Sequence, residues 1–472
     1  MKLSRWICLL MLLCAFRLAA ADPTPADSPQ EFYDLVRPAM VAVKYEWDSE
    51  LGKQELIGGG VVVRKDGLVA IQMLIVSPVI PDAQMKDFKI IVPSDTQDYK
   101  EIDAIFLGRD ERTDLGFVQA KDPGKWTPIH FEDKPLAVGE KLYGMGVLPE
   151  DGGYKAYFTE AVLAAQLRGE VPLVLTTGAL GNVGSPVFDG AGHAVGIVQP
   201  QEGADPLLDP HASVSSVTTP PHFFTPTRFF QASIDDPPTV DHPLVIPWTG
   251  LMQLTGVNKQ LAEFLGLTNK PAAQIGDVAP GSPAAKAGMQ PGTIILAVNG
   301  QPLTRGDLPE EIPLILHRQI MRMKVGQKVT FTVMSEKDKP TQDIELTLEA
   351  RPLQPNQAKR YFAEDLGFVV REPVFADAYV HKLKQGAGGV VVDLVRRDGA
   401  AASAKLNRDD WVLQLNGQPV TDLDHFQQDL ESLRKSQPHQ EVVMVVLDRT
   451  GRQETINIEP PQSDSGVGMP GN

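Results

Sequence analysis

Acyl transfer by a side chain needs a nucleophile, a base that takes its proton and a carboxylate that orients the base. This chain of 472 residues offers those parts incompletely. Gly181-Asn182-Val183-Gly184-Ser185-Pro186 is a glycine-rich segment that carries one hydroxyl, on Ser185. Val183 itself has no nucleophilic atom. Thr113-Asp114-Leu115-Gly116-Phe117-Val118 supplies a carboxylate at the head of an apolar strand, yet the first of nine histidines is His130, so no imidazole precedes Asp114. Ser185 lies two positions after Val183 and would need a base. His193 follows Asp189-Gly190 as a turn residue, and His211 and His222 fall in a proline-rich stretch. No His or acidic cluster has zinc spacing, and Asp235-Asp236 and Asp409-Asp410 lack a calcium-loop pattern. Gly58-Gly59-Gly60 precedes a strand rather than a helix and so does not cradle phosphate. No metal and no cofactor are expected.

The elements around these residues read as mainly β. Met40 to Val43, Gly60 to Val63, Lys89 to Val92, Leu173 to Leu175 and Ala194 to Val198 are short β-branched runs separated by turns such as Lys65-Asp66-Gly67. That pattern suits a barrel or sandwich over about 30–200. Phe32 to Val36 suits a short helix ahead of the first strand. Prolines 206, 210, 220, 221, 226, 237, 238 and 243 make about 199–245 a long loop running into a linker.

The second half repeats itself. Asn299-Gly300-Gln301-Pro302 recurs as Asn416-Gly417-Gln418-Pro419, each after an apolar strand, Ile294 to Val298 and Trp411 to Leu415. A small-residue helical stretch precedes each strand, Ser282 to Gly288 and Gly399 to Leu406. A period of roughly a hundred residues means two copies of one domain rather than a solenoid.

Residues 1–21 read as a secretory signal: Lys2 and Arg5, the apolar stretch Trp6 to Phe16, and Ala19-Ala20-Ala21 before Asp22. Both cysteines, Cys8 and Cys14, lie within it, so the mature chain is expected to hold no disulfide or thiolate site. Leu13 stands where lipid attachment at Cys14 would need a small residue. The formal charge is −16, and about −19 once Lys2, Arg5 and Arg17 are removed, which argues against a nucleic-acid partner. No later stretch is apolar enough to span a bilayer.

The repeats resemble PDZ domains: Gly281-Ser282-Pro283-Ala284-Ala285-Lys286-Ala287-Gly288 with Gly292-Thr293-Ile294-Ile295-Leu296-Ala297-Val298-Asn299-Gly300, and Asp409-Asp410-Trp411-Val412-Leu413-Gln414-Leu415-Asn416-Gly417. Lys405-Leu406 replaces the Ala-Gly helix ending in the second copy. Residues of about 30–235 resemble the protease barrel of the HtrA (Deg) family through Ile57 to Val69, Thr113 to Val118, Gly181 to Pro186, Gly192 to Ile197 and Phe224 to Arg228. The resemblance implies a chymotrypsin-like double β-barrel followed by two PDZ domains. It divides the chain into a signal (1–21), an inactive trypsin-fold domain (22–235), PDZ domains over 236–352 and 353–459, and a disordered tail (460–472).

The same resemblance places Leu74 at the catalytic histidine, Asp114 at the aspartate and Val183 at the serine, which makes the chain a pseudoprotease. PDZ domains add a C-terminal peptide to a sheet edge and hold its carboxylate on loop N–H groups. By that resemblance the loops are Thr249-Gly250-Leu251, where the family usually has Leu at Thr249, and Leu366-Gly367-Phe368. The expected partners are C-terminal or unfolded peptide segments of bacterial envelope proteins, met in the periplasm by a scaffold or chaperone-like adaptor. Two alternatives stand beside it: an active serine endopeptidase with an unconventional site, and a structural subunit in a mixed oligomer with an active paralogue. Tyr33, Tyr45 and Trp47 lie where such proteins use aromatics to trimerise, although a plain core role fits them equally.

Overall fold

The computed structural model describes residues 28–94, 99–167, 173–199, 223–305, 311–337 and 339–460. The expected signal, His211 and His222, and all but the first residue of the expected tail lie outside them. Ser28 opens helix α1 (Pro29–Val36) by accepting the Glu31 N–H on its Oγ at 3.3 Å, with Pro29 at the first helical position.

Twelve strands then form two closed antiparallel barrels. The first comprises β1 (Met40–Ser49), β2 (Gly52–Val62), β3 (Leu68–Gln72), β4 (Met85–Val92), β5 (Lys100–Asp110) and β6 (Leu115–Ala120), in the order β1-β2-β3-β6-β5-β4. The second comprises β7 (Lys141–Val147), β8 (Ala156–Leu167), β9 (Leu173–Thr176), β10 (Pro186–Phe188), β11 (Ala194–Val198) and β12 (Phe223–Pro226), in the order β10-β11-β12-β9-β8-β7. Glycines let the turn after β3 pack against the first barrel: a Cβ on Gly58 would collide with the Ile75 side chain and one on Gly116 with that of Val76. Phe32 of α1 packs edge-on against Phe188 of the second barrel at 4.9 Å. The N-terminal aromatics serve the chain's own packing: Tyr33 donates to Ala156 O, Tyr45 is buried and donates to Ile75 O, and Trp47 donates to Gln84 Oε1.

After α2 (Gln231–Asp235) the chain runs along β5, where the Val240 N–H bonds to Leu107 O at 2.7 Å. The first repeat contains β13 (Pro247–Trp248), β14 (Leu251–Met252), β15 (Thr255–Gly256), α3 (Lys259–Phe264), β16 (Ala273–Gln274), β17 (Asp277–Val278) and α4 (Pro283–Lys286). It continues with β18 (Ile294–Val298), β19 (Gln301–Pro302), α5 (Glu311–Met321), β20 (Lys328–Met334), β21 (Gln342–Thr347) and β22 (Glu349–Ala350). The second repeat contains β23 (Arg360–Ala363), β24 (Phe368–Arg371), α6 (Phe375–Val380), β25 (Val390–Val395) and α7 (Ala400–Ser403). It ends with β26 (Trp411–Leu415), β27 (Gln418–Pro419), α8 (Leu423–Ser436), β28 (Val442–Leu447) and β29 (Gln453–Ile458). Both Asn-Gly pairs make the hairpin turn their sequence predicts, with φ +50° and +74° at Asn299-Gly300 and +47° and +80° at Asn416-Gly417.

Side chains far apart in sequence join these units. Arg351 makes a bidentate pair with Glu111 at 2.7 and 2.8 Å. Tyr379 on α6 donates to Asp277 of the first repeat at 2.7 Å and accepts from Gln253 at 3.1 Å, while Phe375 lies edge-on to Trp248 at 5.2 Å. Inside the second repeat the buried Arg371 grips Asp377 at 2.7 and 2.8 Å and Asp393 at 3.3 Å. Replacement Arg371→Met would leave the Asp377 carboxylate buried without its cation. Loss of a buried partner costs about 3–5 kcal/mol, so the unfolding transition followed through the buried Trp411 should shift to lower denaturant by about that stability. A shift below about 1 kcal/mol would show that the network contributes little.

Candidate functional site

The three positions expected to carry catalysis come together where the barrels meet. After β3 the chain makes a turn over 73–76, and the Met73 N–H bonds to Asp114 O at 2.9 Å, which seats half-buried Leu74 beside the start of β6. Tyr45 pins the turn by its hydrogen bond to Ile75 O at 2.8 Å. From the other barrel, the segment Gly181–Ser185 closes a turn with the Ser185 N–H on Asn182 O at 3.0 Å. Gly184, at φ +88°, lies so near β3 that a Cβ there would stand 3.5 Å from Gln72 N and Cγ. A buried amide pair, Gln72 Nε2 to Gln199 Oε1 at 3.1 Å, joins the barrels at the same place.

Among the described residues, the three expected positions bring one titratable side chain to the meeting point, Asp114. Neither Leu74 nor Val183 can transfer a proton. Asp114 sits in the left-handed region at φ +57°, which an aspartate tolerates better than most side chains. Its carboxylate takes no hydrogen bond from any described residue. Burial pushes its pKa upward; Arg318 on α5 opposes this, and Asp110 and Glu111 reinforce it. Asp110, four residues earlier, contrasts with it. Burial would raise this carboxyl too, but bonds from Arg112 at 2.7 and 2.9 Å and from Ser233 at 2.7 Å outweigh burial and hold it below the usual range.

The serine and histidine nearest in sequence are engaged within their own loops. Ser185 is buried, and its Oγ would stand 2.6 Å from a Cβ on Gly181, so it packs into the loop. His193 directs Nδ1 at Asp189, 3.0 and 3.1 Å from the two carboxylate oxygens, within the turn between β10 and β11. Asn182 accepts from Val147 N at 2.8 Å and from the Tyr157 hydroxyl at 3.2 Å, which stiffens the loop. Beside it opens a cleft of about 540 Å³ between the barrels, with Ala42, Ile57, Leu148 and Tyr154 among its apolar walls and Glu55, Glu150 and Asp151 as its acids. Among the described residues no group of His, Cys, Asp and Glu could hold a metal ion, and no helix is long and apolar enough to cross a membrane.

The two carboxylate loops differ. In the first repeat Gly250 stands at φ +81° against Ser282, and its carbonyl accepts from Ala279 N at 2.8 Å. The Leu251 N–H bonds to the Thr249 hydroxyl at 3.2 Å. Among the described residues, strand β14 pairs with β17 alone. In the second repeat the N–H groups of Leu366 and Gly367 both bond to Ala363 O, at 3.2 and 2.8 Å, and Phe368 starts β24, paired on both edges. Sequence reasoning did not find the Thr249 cap, the Gln72–Gln199 pair or Arg318. The departure from Leu at position 249 was the one available signal.

This geometry defines a trypsin-fold protein with paired PDZ domains. Profile comparison agrees: the trypsin-like peptidase domain matches residues 58–197, and PDZ domains match 274–325 and 360–447. The same order of domains, one trypsin-like and two PDZ, makes the chain similar to proteins of the HtrA/DegP family. It is 28% identical over 399 residues to a probable periplasmic serine endoprotease DegP-like of Marinomonas sp., covering 79% of this chain and 74% of that protein. The protein of the same description from Pseudomonas fluorescens is 28% identical over 426 residues, covering 85% and 79%. The solved HtrA-type protease AlgW with decapeptide superposes with a TM-score of 0.50 at 18% identity, covering 68% of this chain and 98% of that one, which supports the fold.

Asp114 yields a test of the site's electrostatics. A carboxyl whose folded pKa is raised weakens the fold above that pKa, and the penalty fades as pH falls through it towards the ordinary value of about 4. Asp114→Asn should therefore raise the melting temperature near pH 7, with the gain vanishing below about pH 4. Destabilisation at every pH would mean that the charge is favourably placed.

Proposed function

We propose that this chain is an exported pseudoprotease of the periplasm that binds polypeptide segments through its PDZ unit without cutting them, as a scaffold or chaperone-like adaptor. The carrying observation is that Leu74 and Val183, neither able to transfer a proton, stand where the resemblance expects the histidine and the serine, while the Asp114 carboxylate takes no hydrogen bond from a described residue. The trypsin-fold domain is assigned to 22–235 and the PDZ domains to 236–352 and 353–459. The periplasm is supported by the names of the relatives and by the signal-like residues 1–21. The peptide site is assigned to Thr249, Gly250 and Leu251 with the free edge of β14. An extended C-terminal segment would add there as a strand, its carboxylate on the loop N–H groups.

The names of the relatives favour the second reading, a serine endopeptidase. Incubation of an unfolded reporter protein with the purified mature chain separates the two. Neither hydrolysis nor labelling by a serine-directed covalent probe is expected from the wild type. Val183→Ser alone should stay unlabelled, because a serine without its base is inert, whereas Leu74→His with Val183→Ser should label. Wild-type hydrolysis abolished by Ser185→Ala would overturn the proposal.

Peptide capture has its own test. C-terminal peptides should bind with roughly micromolar affinity. Thr249→Val keeps the shape but removes the hydroxyl that occupies the Leu251 N–H, freeing that donor for a carboxylate. A net hydrogen bond is worth about 1 kcal/mol, so affinity measured by fluorescence anisotropy should rise about fivefold. Unchanged affinity would place the carboxylate elsewhere.

A further inference from the structure

In the second PDZ domain the chain itself pairs with both edges of β24. We propose that residues 360–363 of this chain, strand β23, are a permanent internal ligand of its groove, so that the domain takes no peptide from outside. The inference rests on the reading of these repeats as peptide-binding folds.

Three observations carry it. Strand β24 is hydrogen-bonded along both edges, to β25 on one side and to β23 on the other. Its counterpart β14 in the first PDZ domain pairs, among the described residues, with β17 alone. A captured peptide needs a free edge on this strand, and here the chain has filled it.

The filling segment also has the polarity of a ligand. A C-terminal peptide adds as an extended strand with its last carboxylate at the loop. Strand β23 runs antiparallel to β24 in the register Arg360 with Arg371 through Ala363 with Phe368, so its C-terminal end meets the loop. There Ala363 O accepts the N–H groups of both Leu366 and Gly367, at 3.2 and 2.8 Å. This carbonyl takes the donors that a terminal carboxylate would use.

The side chains complete the fit. Ala363 is 2% exposed and belongs to the same core as Phe426 and Leu430 of α8. Tyr361 lies edge-on to Phe426 with ring centroids 6.4 Å apart. The strand therefore lies against both walls of the groove, β24 and α8. At its outer end Arg360 is tied to Asp393 at 2.9 Å and to Glu50 of the first barrel at 3.4 Å.

A covalently joined ligand competes at its effective concentration, which is millimolar or more for a short connection. Against a peptide of about micromolar intrinsic affinity, that suppresses apparent binding roughly a thousandfold.

Amide hydrogen exchange on the full mature chain tests this, with and without a peptide ending in Arg-Tyr-Phe-Ala and a free carboxylate. Leu366 and Gly367 should exchange as slowly as β25 and be unaffected by the peptide. Fast exchange at these two amides, or added protection over 366–371 in the wild type, overturns the proposal. In the variant Tyr361→Gly with Ala363→Gly, which loosens the strand, the peptide should newly protect 366–371. A folded variant, judged by unchanged Trp411 fluorescence, that gains no protection there also overturns it. If the variant does not fold, the wild-type exchange rates decide. Failure of the peptide to protect β14 counts separately, against peptide capture by the first PDZ domain.

Discussion

A backbone N–H or C=O withdrawn from water must find a partner, and the architecture follows from how each strand edge meets that demand. The two barrels meet it by closure, which leaves them no terminal strand. In the PDZ units the same demand is met strand by strand. There β14 keeps one edge without a strand partner, and β24 has none to spare. The two repeats share their Asn-Gly hairpins and small-residue helices, yet edge occupancy separates them.

The meeting of the barrels obeys a related rule for side chains. Gly184 lets the second barrel approach Gln72, and the Gln72–Gln199 pair satisfies two amides that would otherwise be buried unpaired. Asp110 is buried just as deeply and is matched by Arg112 and Ser233. Asp114, only partly buried, takes no hydrogen bond from a described residue; burial pushes its pKa up and the field of Arg318 opposes this.

Much of this was legible in the sequence. Val183 and the lack of any histidine before Asp114 can be read directly, and turn chemistry at Asn299-Gly300 and Asn416-Gly417 announced the repeats. The β-branched runs marked the barrel strands because burial on both faces selects such residues, as in β3. What the sequence withheld is pairing at long range. Gln72 and Gln199 are 127 positions apart, Arg351 and Glu111 are 240 apart, and neither pair has a local signature. Arg360-Tyr361-Phe362-Ala363 reads as an ordinary strand. Its partner is set by which edge tertiary folding leaves open, and the same limit hid the role of Leu366 and Gly367.

Arg360 gives the filled groove a reach beyond its own domain. From it a line of polar contacts runs through Glu50 and Gln84 to Trp47 in the first barrel, and inward through Asp393 to Arg371 and Asp377. Withdrawing β23 would break contacts on both sides of the domain border at once. The cooperative unit of the chain thus crosses the boundary that sequence repeats draw, and opening the groove becomes a rare sub-global unfolding event rather than a local breathing motion.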